Sequence, residues 1–453
     1  MSTRFVNVDR NTPMLLPPDL RDWIPEDDMV HFVIEAVEGM SLPTLKINHR
    51  GSGSAQYPPK MMLALLIYCY ANGIFSSRRI ERATYRDIAV RFLTANTHPD
   101  HDTICAFRRA NFEAMAEAFL QVLHLARSMR VLKVGTISVD GTHIKANASK
   151  DKNVRYDRAD ELDRQLEKDI QLLMDEAERT DRRDDDDGQS LPDDIARRER
   201  LRTKMQQVRA DLESRAKTRA QARQAELQEK ARRKKQQGCK TRDRQIQAPK
   251  QTPEDREQAN LTDADSRLMR KNIREGYTQS YNAQVAVDAD GSQLILSNHV
   301  SQSASDSNEL EPAVNNVPET IGKVSKVLAD AGYVNADTIE RLQAQGRDLY
   351  VAVSRDDGNT ERRYDYRPKS ATDKPGRKVK DPRLRAMQRK LKTKAGKKVY
   401  AKRKQTVEPV FGIIKHVMGY RQTLLRGVAK VRGEWNLVCL AYNVKRLWAL
   451  SAA

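Results

Sequence analysis

Residues Gly135–Lys150 read GTISVDGTHIKANASK. Ile137 and Val139 alternate with Thr136 and Ser138, the period-two pattern of a half-buried strand, and Asp140-Gly141 follows as a turn signal. The pattern predicts an apolar strand that ends on an acid. In a chain of net charge +19, that acid has two readings. It opens a tight type I′ turn, or it is one of several carboxylates around a metal.

The 453 residues suffice for two or three domains, yet only 39% are hydrophobic and 6% aromatic, against 32% charged. A substantial part must therefore lie outside any core. The positive excess, with a pI near 9.7, points to a polyanionic partner, nucleic acid first. Four widely spaced cysteines (Cys69, Cys105, Cys239, Cys439) form no CxxC pair, which excludes a zinc knuckle or disulfide framework and fits a reducing cytoplasm. The longest apolar run, Met61–Ala71, is too short to span a bilayer, and the first residues lack the apolar stretch of a signal peptide. A cytoplasmic, nucleoid-associated protein without membrane contact is expected. No P-loop is present, so ATP is not implicated.

Residues 1–130 read as a helical, DNA-binding domain. PEDDMVHFVIEAVEG from Pro25 has acids in its first turn and Gly39 at its end. After a Gly/Ser loop (RGSGSAQ), PPKMMLALLIYCYANG places Pro59 in a first helical turn. SSRRIERATYRDIAVRFLT and HDTICAFRRANFEAMAEAFLQVLHLARSMR predict one helix each. Their arginines (Arg78, Arg79, Arg82, Arg108, Arg109) suit phosphate contacts around a helix-turn-helix reader, or a solvated bundle surface.

No Phe, Tyr or Trp occurs between Asp157 and Gly276. Leu162, Leu166, Ile170 and Leu173, then Leu201, Met205, Val208, Leu212 and Ala216, recur at three- and four-residue spacing. Two narrow apolar stripes joined by an acidic loop (DRRDDDDGQSLPDD) predict an antiparallel coiled-coil hairpin within 151–260. Its second helix ends in the basic run KARRKKQQG, and residues 239–260 read as a linker. From Tyr277 the pattern turns to strands. SYNAQVAVD and SQLILSNHV flank a hairpin signal, followed by helix (ASDSNELEPAVNNV), strand (KVSKVLAD), helix (NADTIERLQAQG) and strand (RDLYVAV). With the strand at 136–140, this gives an α/β mixed sheet of order β-β-β-α-β-α-β, split between 131–150 and 261–453 by the hairpin. The segment 355–404 is strongly basic. WNLVCLAYNVKRLWAL predicts an amphipathic last helix with Trp435, Leu440 and Trp448 available for burial.

Two strands now end in an acid, at Asp140 and Asp330, and neighbouring first and fourth strands would bring both to one edge of the sheet. Glu408 sits in a helix that can pack alongside. Three converging carboxylates repel one another unless divalent cations neutralise them, and hard oxygen ligands select Mg²⁺ or Mn²⁺. Two such ions would clamp the attacking and leaving oxygens of a phosphodiester.

At these residues the chain resembles the DDE transposases of bacterial insertion sequences, whose catalytic core has the ribonuclease H fold. The resemblance runs over most of the chain: PP-x-MML-x-L-L, VDGT at Asp140, NLTDADSRLMR…GYTQSYNAQVAVD, LADAGY at Asp330 and VEPVFGIIKH around Glu408. It implies a metal-binding catalytic triad of Asp140, Asp330 and Glu408, and a C-terminal signature of Tyr400, Arg403, Glu408 and Lys415 in contact with DNA. The Arg403-to-Glu408 gap is one residue longer than the family pattern, which leaves Lys404 as an alternative to Arg403. The implied reaction is hydrolysis at the element ends followed by attack of the freed 3′-OH on target DNA. Magnesium is the implied cofactor, replaceable by Mn²⁺, in a two-metal site. The implied partners are double-stranded DNA and, when DNA is bound, a second copy of the chain. The alternatives are a metal-dependent nuclease without strand transfer and a non-catalytic DNA-binding protein derived from a transposase.

Several other residues have competing readings. Asp306 with Glu309, and Asp337 with Glu340, read as capping boxes rather than metal ligands. His98, Asp100 and His101 form either a metal site or the cap of a helix at Asp102. His143 and His416 flank the candidate acids and suit phosphate contact or plain solvation. Glu408 precedes Pro409, which disfavours helix at Glu408 and predicts a kink or a helix start.

Overall fold

The computed structural model of the chain describes residues 19–47, 55–181, 191–236, 248–270, 275–354 and 379–451. Most of the RGSGSAQ loop, the acidic stretch from 182 to 190, the end of the KARRKKQQG run, Cys239 and the basic segment from 355 to 378 lie outside them.

Among the described residues, the N-terminal part holds the α-helices α1 (Met29–Glu38), α2 (Pro59–Ala71), α3 (Ser77–Arg86), α4 (Ile88–Leu93), α5 (His101–Ala110) and α6 (Phe112–Ser128). Two of the expected helices are each divided in two, and the physical cause is local. Asp87 has an extended backbone and its carboxylate accepts from Val90 N, so it starts a new helix. Asn111 is buried, and its side chain accepts from Lys46 N and donates to Phe107 O. Both are short polar residues that compete with helical backbone bonding. The helix at 101–110 is capped by Asp100, not Asp102. α2 is apolar all round and buried from Met62 to Ala71, as a helix at the centre of a bundle must be.

A strand β1 (Thr136–Lys145) and a short strand β2 (Asn153–Arg155) lead into α7 (Tyr156–Asp181) and α8 (Leu191–Gln236). Strand β3 (Gln258–Asn260) pairs with β2 at the base of these helices, where the sequence suggested only a linker. The two helices run antiparallel: Tyr156 donates to Glu213, Arg209 pairs with Asp160, and Arg202 with Asp163 and Glu167. Leu166, Met205, Val208 and Leu212 are buried at or near their contact.

The main sheet adds β4 (Arg267–Met269), β5 (Thr278–Asp288), β6 (Ile295–Ser301), then α9 (Leu310–Asn315), β7 (Lys326–Ala329), α10 (Ala336–Ala344) and β8 (Asp348–Val351). Its order is β4-β5-β1-β7-β8, with β6 also on β5. β1 is antiparallel to β5 and parallel to β7, and β7 is parallel to β8. This mixed sheet is consistent with a ribonuclease H-like core.

Among the described residues beyond β8 lie α11 (Pro382–Lys392), α12 (Lys394–Gly412) and, after a π-helical turn at Ile413–Val417, α13 (Val428–Ser451). α13 is buried on most sides from Val431 to Leu447, not on one face only, because it lies between the sheet and helices α2 and α6. Its Asn443 carboxamide accepts from Ile295 N and donates to Ile295 O, covering the open edge of β6. The N-terminal helices and the sheet therefore share one continuous core.

Candidate active site

β1 does not turn at Asp140. It continues to Lys145, with Asp140 opposite Val285 and Gly141 opposite Gln284 on β5. Its parallel partner β7 leaves earlier: the last pair is Ser138 with Leu328. By that register, Asp140 and Asp330 stand level where the two strands part. Asp140 thus occupies an opening in the sheet rather than a turn. At the end of β7, the Asp330 carboxylate accepts from Gly332 N at 2.8 Å and caps a short 3-10 turn.

α12 lies over this opening. Arg403 Nη1 is 3.2 Å from Asp140 Oδ2, and Nη2 is 3.7 Å from Glu408 Oε1. Arg403 is 12% exposed and its Nε has no hydrogen-bond partner. Lys404 is exposed. The longer gap noted in the sequence thus leaves Arg403 facing the acids. Tyr400 packs beside Arg403, half-buried.

α12 runs unbroken through Glu408 and Pro409, so Glu408 is helical and no helix starts there. Pro409 cannot bond back to the Gln405 carbonyl, and Gln293 Nε2 donates to that carbonyl instead, at 2.9 Å. The irregularity comes later, in the π-turn, where Lys415 Nζ donates to Thr142 Oγ1 and to the His143 carbonyl at 3.1 Å. Thr142 is two residues from Asp140 and therefore on the same face of β1. His416 is exposed and bonded to Arg421.

Burial pushes the Asp140 carboxyl up to about 7, against the pull of Arg403, with the Asp330 and Asp306 charges adding to the rise. A carboxyl in that condition is stabilised by any further positive charge brought to it. Among the described residues no three Asp, Glu, His or Cys side chains are gathered closely enough to hold a metal ion. The donor chemistry nevertheless suits a hard divalent cation, since Asp140, Asp330 and Glu408 offer only carboxylate oxygens.

Other residues fall away from the sequence reading. Arg108 is 3% exposed, and its guanidinium donates to Tyr70 Oη at 2.8 Å and to Phe75 O at 3.2 Å. It is a core arginine and cannot line a phosphate-facing surface, whereas Arg109 is exposed. His98 bonds Thr84 and stacks on Tyr85, and His101 bonds Glu81, so with Asp100 as a cap the HPDHD stretch forms no metal site. Neither expected capping box forms. Asn335 caps α10, while Asp337 and Glu340 pair with Arg383. Glu309 accepts from His299 and Ser301. Asp306 turns to β5 instead, where its Oδ1 accepts from Asn282 and Gln284 at 2.7 Å. Gln284 also accepts from the buried Tyr333 hydroxyl. Asn282, Gln284 and Tyr333 escaped the sequence reading, although Asn282 and Gln284 at alternate positions of an otherwise apolar strand were a visible signal.

Among the described residues the cysteines are free (Cys69, Cys105, Cys439), and no helix is long and apolar enough to cross a membrane. Residues 256–444 match the family described as Transposase DDE domain, and residues 18–110 match that described as Transposase domain (DUF772). No curated protein and no solved structure matches the chain. The first match contains Asp330 and Glu408 and begins beyond Asp140 and the α7–α8 pair. With transposase families matched over both the N-terminal helices and the sheet, together more than half of its length, the chain belongs to the DDE transposases of insertion sequences, enzymes that act on DNA and normally use a divalent metal.

Proposed function

We propose that this transposase cuts at the ends of its element and joins the freed 3′-OH to target DNA at a centre made of Asp140, Asp330 and Glu408. The observation that carries this reading is the level register of Asp140 and Asp330, with Arg403 bridging Asp140 to Glu408. The three carboxylates would hold Mg²⁺ or Mn²⁺ as a pair of ions. Bound there, the metal supplies Lewis-acid activation of the phosphate and of the attacking oxygen. The chain's own contribution is positioning and charge. Arg403 and Lys415 bracket Asp140 from α12 and the π-turn and would take the phosphates on either side of the scissile bond. Tyr400 supports Arg403, and the exposed Lys404 and Arg109 contact the backbone further out.

The same reading makes residues 1–130 the DNA-binding region, with Arg78, Arg79 and Arg82 exposed on α3. Residues 131–150 and 261–453 form the ribonuclease H-like core, and 151–260 are a coiled-coil insertion. Two element ends must be held together, so the chain acts on DNA as a homodimer.

Nicking of supercoiled plasmid in Mn²⁺ tests the centre, using wild type, Asp140→Asn and Asp330→Asn. Wild type should nick, and both variants should bind DNA without cutting. Variants that cut as well as wild type would remove these acids from the reaction. Joined products with a 3′-OH donor oligonucleotide then establish strand transfer, and cut products alone would reduce the enzyme to a nuclease.

A further inference from the structure

Asp306 lies between β6 and α9, outside the proposed triad, and its surroundings are unusual for a structural carboxylate. Oδ1 is held by two buried amides of β5, Asn282 and Gln284, each at 2.7 Å. Amides donate hydrogen bonds but leave the negative charge in place. Oδ2 has no donor, and neither oxygen has a cationic partner, among the described residues.

Two glycines bring this charge close to the candidate acids. A Cβ at Gly141, the residue after Asp140, would stand 2.1 Å from Gln284 Nε2 and 3.0 Å from Asp306 Oδ1. A Cβ at Gly332, two residues after Asp330, would stand 3.5 Å from Asp306 Oδ2. Only bare backbone therefore separates Asp306 from the strand end that carries each acid. Successive residues of a strand point to opposite faces, so Asp306 approaches from the Gly141 face while Arg403 approaches Asp140 from the other. Asp306 thus adds a negative charge behind Asp140 and Asp330, on the side of the strand that Arg403 does not occupy. Unlike charges interact strongly across a few ångströms of partly buried protein.

We propose that Asp306 is a fourth acid of the centre, a positioning residue whose fixed negative charge raises the affinity of the site for its divalent cation. The inference rests on the reading of Asp140 and Asp330 as the metal-binding acids. A purely structural Asp306 would need only its acceptor oxygen, which asparagine also provides. The charge role needs the carboxylate itself.

Mn²⁺ binding to the full-length chain, followed by the electron paramagnetic resonance of the free ion, separates the two. The proteins are wild type, Asp306→Asn, Asp306→Ala and Asp140→Asn, each with its metal-free melting temperature measured. Asp306→Asn and Asp306→Ala should weaken Mn²⁺ binding alike, by roughly 10–100-fold as for other residues supporting a metal site. Asp306→Asn should keep the wild-type melting temperature. If asparagine binds Mn²⁺ as wild type does, and alanine alone is impaired, Asp306 merely holds β5 and the proposal is overturned. If both Asp306 variants bind normally while Asp140→Asn does not, the proposal fails and the reading of the triad stands. If wild type binds no Mn²⁺, or Asp140→Asn binds as tightly as wild type, the triad reading fails and this inference fails with it.

Discussion

At Asp140 the cost of burying a carboxylate is only partly offset by Arg403, and the carboxyl rises from 3.8 to about 7. The folded chain then binds more protons than the unfolded chain between about pH 4 and 7, so its stability falls as pH rises through that window. Metal-free wild type should lose stability from pH 5 to 7.5 relative to Asp140→Asn, which cannot ionise there. Parallel urea-melt curves for the two would show an ordinary carboxyl. At Gly141, alanine would push Gln284 away from Asp306, Asn282 and Tyr333, which hold it in place. Gly141→Ala should cost about 1–3 kcal/mol in a denaturant melt, as overpacking does, and should abolish plasmid nicking. The neighbours Arg108 and Arg109 should differ in kind. Arg108→Ala leaves the Tyr70 hydroxyl and the Phe75 carbonyl short of a partner and should cost about 1–3 kcal/mol. Arg109→Ala should change stability by less than about 0.5 kcal/mol, as exposed sites do, and should act on DNA affinity alone.

The elements divide according to how much of their pattern is local. α2, β5 and β6 fall where periodicity places them, while α1 starts at Met29 behind Asp28 rather than at Pro25, and α10 starts at Ala336 behind Asn335, a cap other than the Asp337 the sequence suggested. The breaks at Asp87 and Asn111 were harder to read, because a polar residue inside a helical pattern interrupts it only when a tertiary partner such as the Lys46 amide is present. β2 and β3 are three residues each and have no pattern of their own; they exist because each supplies the other's hydrogen bonds. The α7–α8 pair was legible from its apolar stripes and its lack of aromatics. At 1.5 Å per residue, the 46 residues of α8 span about 69 Å. Leu212 is fully buried near the base of the pair. Leu212→Ala should cost about 2–5 kcal/mol locally. Hydrogen exchange should then quicken across 156–236 while the amides of β5 keep their protection.

Over the whole molecule, α13 joins what the sequence presents as separate parts. It packs on α2 and α6 as well as on β6, so the N-terminal helices do not own a complete core. A fragment of residues 1–130 should fail to give a cooperative melt, and co-expression with 131–453 should restore one. An independent sharp transition in the fragment would show that α13 is dispensable to it. The charge of +19 acts at the same scale. With six or more phosphates contacted, the log–log slope of DNA affinity against salt should be steeper than about −5, and a flat titration would remove the electrostatic footprint.

The strands β1, β5, β6, β7 and β8 and the two helices of the insertion could be read from the sequence, because strand and helix periods and turn residues are local properties. The place of Asp140 within a continuing strand could not. Asp-Gly has the same turn propensity wherever it occurs, and only the departure of β7 after Ser138 opens the sheet beside it. Nor could the sequence separate Arg108 from Arg109, one turned into the core and the other to solvent, or show that Asp306 is spent on β5 rather than on a helix cap. Those choices depend on which groups arrive from distant parts of the chain, and packing alone brings them together.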